Sequence, residues 1–78
     1  MRYNSLRYSA EEIERAREHV RDAERRIQEQ LKLIGRLEHG GWSTAEARDL
    51  LKLMEDLLEH FRWHLREITR DGSGPPQT

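Results

Sequence analysis

The side chains in this chain best suited to chemistry are its four histidines. His60 and His64 are four residues apart, so on a helix they share one face, and Asp56 lies one turn earlier on the same stripe. Two imidazoles and a carboxylate at that spacing could hold zinc or another divalent cation. A further ligand would have to come from His19 or from a second copy of the chain. The metal candidates are therefore His19, Asp56, His60 and His64, set against a simpler reading in which His64 is a polar layer in a helical seam and His60 sits on its flank. Residues three before the histidines are Ala16, Arg36, Leu57 and Phe61, so the Glu-x-x-His pair of di-iron bundles is absent. The His-Glu-x-x-His zinc protease signature is absent too. A histidine exposed on a dimeric helical hairpin is also the setting of phosphotransfer, an analogy of shape alone. His19 is followed by Val20-Arg21 and His60 by Phe61-Arg62, so neither is followed by the acidic residue usual at such sites. His39 reads as a cation favoured by the carbonyl end of a helix. The preferred reading has no catalytic residue, no metal and no cofactor.

What positions these residues is two long helical patterns separated by His39-Gly40-Gly41-Trp42-Ser43-Thr44. Gly40 and Gly41 suit the left-handed conformation that ends a helix, and Ser43 can cap the next one with its hydroxyl, with Glu46 three residues on. Trp42 is placed to pack over the turn. So short a break folds the second segment back on the first. Ser9 and Glu12 form a capping box at the start of helix 1, flanked by Tyr8 and Ile13 as a hydrophobic staple. The expected fold is all-α, an antiparallel hairpin with one helix over about 10–38 and another over about 44–70. Residues 1–8 read as an extended arm, 9–70 as the hairpin domain and 71–78 as a flexible tail, with Asp71-Gly72-Ser73-Gly74-Pro75-Pro76 as the stop signal.

In helix 1, Ile13, Val20, Ile27 and Ile34 recur every seven residues, with Ala16, Ala23, Gln30 and Leu37 between them. Gln30 is a buried polar residue of the kind that fixes register. In helix 2 the seam reads Ala47, Leu50, Met54, Leu57, Phe61, His64 and Ile68, with an extra row of Leu51, Leu58 and Leu65. Folding back pairs Ile34 with Ala47, Ile27 with Met54, Val20 with Phe61 and Ile13 with Ile68. The expected hairpin core is Ile13, Val20, Ile27, Ile34, Leu50, Met54, Leu57 and Phe61. One seam cannot cover the extra leucines, so Leu31, Leu51, Leu58 and Leu65 are assigned to a homodimer interface that completes a four-helix bundle.

Composition supports this and narrows the partners. Seventy-eight residues make one small domain, and the absence of cysteine excludes disulfides and thiolate metal sites. Fourteen basic residues face fifteen acidic ones, for a net charge of −1, with Glu11 before Arg15, Glu14 before Arg17 and Asp22 before Arg26 at helix-pairing distance. That local neutralisation argues against nucleic acid. No apolar run reaches a membrane span and no signal segment opens the chain, so a cytoplasmic protein without membrane contact is expected. Trp63 falls off the seam beside Arg62 and Arg66, where it can stack with an arginine or meet another protein.

The stretch from His19-Val20 through Glu24-Arg25-Arg26-Ile27, Gln30, Leu33-Ile34 and Leu37 to Gly41, Thr44, Ala47, Leu50-Leu51, Glu55, Leu58 and His60 resembles a group of small alphaproteobacterial hypothetical proteins of unknown function. It covers about three quarters of the chain. Those proteins carry an acidic residue where Ser43 stands and often a second histidine where this chain has Trp63. The resemblance implies a shared hairpin fold and a bacterial cytoplasmic origin, and adds no catalytic residue. Together these readings describe a non-enzymatic homodimeric interaction or regulatory module, with a divalent-metal-binding bundle or a phosphotransfer-like module as the alternatives.

Overall fold

The computed structural model describes residues 8–73, and only the backbone of 71–73. The sequence assignments to residues 1–7 and 74–78 lie outside that range. Two helices form an antiparallel hairpin, α1 over Ala10–His39 and α2 over Ala45–Ser73, with no strand among the described residues. Each is about 45 Å long at 1.5 Å per residue.

Local sequence explains both ends of α1. The Ser9 hydroxyl accepts the Glu12 N–H at 3.0 Å, and the Glu12 carboxylate accepts the Ser9 N–H at 3.0 Å, which is the reciprocal capping box. At the other end, the Gly41 N–H reaches the Glu38 carbonyl at 3.0 Å and the Trp42 N–H reaches Leu37 at 2.8 Å. This is a Schellman cap, and Gly41 supplies its left-handed residue with φ +78°. The Trp42 indole lies over Gly40, where an added Cβ would come within 2.8 Å of the ring, yet the ring stays 70% exposed.

Two boundaries in α2 differ from expectation. The helix starts one residue late, so Ser43 stands outside the cap position: its hydroxyl accepts the Ala45 N–H at 3.3 Å, while the Thr44 carbonyl accepts Arg48 N–H at 2.8 Å. The helix also continues through Asp71, Gly72 and Ser73 instead of ending near Arg70. A single glycine disfavours a helix by only about 1 kcal/mol, whereas the residue before a proline is sterically pushed out of helical conformation, so Pro75 is the stronger stop.

The core is thin. Its buried apolar side chains are Ala16, Ala23, Ile27, Ile34, Leu58 and Ile68, and Val20, Leu51, Met54 and Phe61 pack half-buried around Ala23, Ile27 and Leu58. Gln30 is buried among them, and its Nε2 donates to the Ala47 carbonyl at 2.8 Å. That bond ties the middle of α1 to the first turns of α2, so the one polar residue of the seam holds the register of the hairpin.

Candidate functional site

The principal departure from the sequence reading is the rotation of α2. Its inward row is Ala47, Leu51, Met54, Leu58, Phe61, Leu65 and Ile68, every member buried or half-buried. Leu51, Leu58 and Leu65, assigned from the sequence to a dimer interface, thus line the seam within one hairpin. Leu50 and Leu57, assigned to the core, are 45% and 50% exposed, and Leu53 is 65% exposed. Relative to expectation the helix is turned by roughly 50°, half the angle between successive residues. The reason is legible in the two rows: the one chosen is apolar throughout, whereas the expected one would have buried the His64 imidazole, which loses its hydration without a partner. Of the remaining assignments, Ile27 and Ile34 are buried, Ile13, Val20, Met54 and Phe61 are half-buried, and Leu31 is 44% exposed.

Leu50, Leu53, Leu57, His60 and His64 recur at alternating intervals of three and four, forming a second seam on the outside of α2. Beside it runs a groove between the helices. Near the turn it is lined by Ala23, Arg26, Leu50, Leu53, Met54 and Leu57, further along by His19, Asp22 and Phe61, and at the open end by Tyr8, Glu12, Arg15, Ala16 and His64. Ala16 and Ala23 keep the floor low. One broad face of the hairpin is therefore leucine, histidine and groove.

The histidines do not converge on a metal. No group of three or more possible ligands comes together among the described residues. The His19 ring packs against Phe61 at 5.2 Å between centroids, His60 lies 6.1 Å from Phe61, and His60 stacks on Trp63 at 6.3 Å. His64 faces the open end of the groove, and Asp56 is exposed. His39 is exposed in the last turn of α1, at the carbonyl end of the helix.

Charged residues stand on both broad faces, and Glu12, Arg15, Asp22 and Arg26 line the groove itself. On the face away from the groove, Arg62 reaches Glu24 at 3.1 Å and Arg48 pairs with Glu38, both bridging the helices. Along α1, Glu14 takes Arg17 and Arg21, and Asp22 takes Arg25 at 2.8 Å. The hydrogen bond from Arg25 holds the Asp22 carboxyl below its ordinary range. Arg15 and Arg26, expected to pair with Glu11 and Asp22, make no ion pair among the described residues, and neither do Asp49 and Asp56. The signal missed in the sequence was the competition between Arg25 and Arg26 for one carboxylate.

No described helix is long and apolar enough to cross a membrane. Compared with known proteins, the chain matches no protein-family model, no curated protein and no solved structure.

Proposed function

We propose that this chain is a non-enzymatic protein-interaction or regulatory module that works as a homodimer, two hairpins closing into a four-helix bundle. The observation that carries this reading is the row of Leu50, Leu53 and Leu57, each 45% or more exposed along one continuous stripe of α2. Isolated surface leucines need no explanation, but three at seam spacing beside an apolar groove match a helix-packing surface. The thin core points the same way, because two helices with six buried apolar side chains gain little from their own packing. The interface now rests on Leu50, Leu53 and Leu57 in place of Leu51, Leu58 and Leu65. Light scattering on the intact chain tests the reading. A mass of twice 9.4 kDa is expected, reduced towards a single chain by Leu53→Glu, which keeps a good helix former at that position. A single-chain mass for the unaltered protein at high micromolar concentration would end it.

A further inference from the structure

The geometry points to a docking site for an acidic peptide on the back of α1, separate from the self-association surface: an extended partner segment with carboxylates at alternate positions, seated over Gly35 beside Lys32 and Arg36.

Near the turn, a shallow hollow on α1 is lined by Lys32, Gly35, Arg36, His39 and Gly40, all of them exposed. Lys32 follows the buried Ala23 by nine residues, half a revolution at about 100° per residue, so the hollow opens on the side of α1 away from α2. A second hairpin on the groove face leaves it open.

Gly35 makes the hollow. It stands inside α1, where glycine is disfavoured against every residue but proline, and a Cβ built there would meet nothing within 4 Å. The packing of the hairpin itself therefore has no use for the missing side chain. What the gap admits is close approach by a backbone from outside.

Charge decides which kind of segment fits. No acidic residue lines the hollow, and neither Lys32 nor Arg36 is in an ion pair among the described residues. Glu29, one turn before Lys32, and Glu38, held by Arg48, stand outside the lining. The negative pole of the helix is covered too, because the carbonyls of Arg36, Leu37 and Glu38 accept the N–H groups of Gly40, Trp42 and Gly41. Lys32 and Arg36 are one turn apart, about 6 Å on a helix surface, and alternate residues of an extended peptide are about 6 to 7 Å apart. Carboxylates on one side of such a segment reach both cations, and the arginine can take its partner through parallel hydrogen bonds. A nucleic acid or an anionic membrane suits the hollow less well, since Glu29 and Glu38 bound the basic patch before it becomes a track of cations.

Fluorescence anisotropy of a short labelled peptide of alternating glutamate and serine, titrated with the intact chain, tests the site. Saturable binding at low salt is expected, weakened at least about tenfold by Arg36→Glu and by Gly35→Gln. The second variant separates docking from folding: glutamine suits a helix interior better than glycine, so the thermal midpoint should hold or rise while binding is lost. No saturable binding by the unaltered chain overturns the site, as does a Gly35→Gln chain that binds equally well. Tighter binding of a DNA duplex, or of vesicles containing anionic phospholipid, overturns the assignment to a peptide. The dimer stands or falls separately, on the solution mass.

Discussion

The two broad faces of this hairpin are built from the same two helices and differ in what their side chains leave undone. On one, Glu24 with Arg62 and Glu38 with Arg48 tie α1 to α2. On the other, leucines stand in water, Arg15, Asp49 and Asp56 make no ion pair among the described residues, and alanines leave a groove. The first face is closed by these pairs, with Leu31, one heptad from both Glu24 and Glu38, left 44% exposed between them. The second has the apolar spacing of a helix seam without a helix on it. The contrast teaches that counting leucines on α2 does not locate an interface, because rotation of the helix decides which row is spent inside.

The comparison breaks most directly at Leu58, which is 9% exposed and belongs to the inner seam. Leu58→Asp should cost more than about 4 kcal/mol and abolish the helical circular dichroism signal, since it buries a charge with no partner. If the variant stayed helical but became monomeric, Leu58 would be an interface residue after all. Leu57→Glu makes the opposite test on the outer row. It should raise the dimer dissociation constant by at least about a hundredfold, measured by sedimentation. An unchanged constant would detach the outer row from association.

Smaller effects sharpen the same division. Gln30→Ala removes the bond to the Ala47 carbonyl and should destabilise by about 1 kcal/mol in urea titration. Ser9→Ala, which opens the capping box, should lose a similar amount, about 1 kcal/mol, by frayed exchange protection in the first turn. Arg62→Ala should be the mildest, below about 1 kcal/mol and vanishing at high salt, because both members of its pair are nearly half exposed.

The hairpin was legible in the sequence because it is specified locally. The Ser9–Glu12 box, the Gly40-Gly41 break and the heptads of α1 each act within a few residues, and the structure places all three as expected. The face of α2 was not legible in the same way. Two rows one residue apart both look like seams, and only the desolvation of His64 distinguishes them. The ion pairs were harder still, because Asp22 has both Arg25 and Arg26 within reach and side-chain geometry selects Arg25. The end of α2 falls inside the stretch Asp71-Gly72-Ser73-Gly74-Pro75-Pro76 read as the stop, at Ser73 instead of Arg70, because glycine disfavours a helix only weakly.

The most direct test of the account is the solution mass of the intact chain beside that of Leu53→Glu, by light scattering across concentration. The unaltered protein should show twice the 9.4 kDa chain mass, and the variant should shift towards one chain with its helical signal retained. Equal masses for the two, whether one chain or two, would contradict the assignment of the leucine row to self-association.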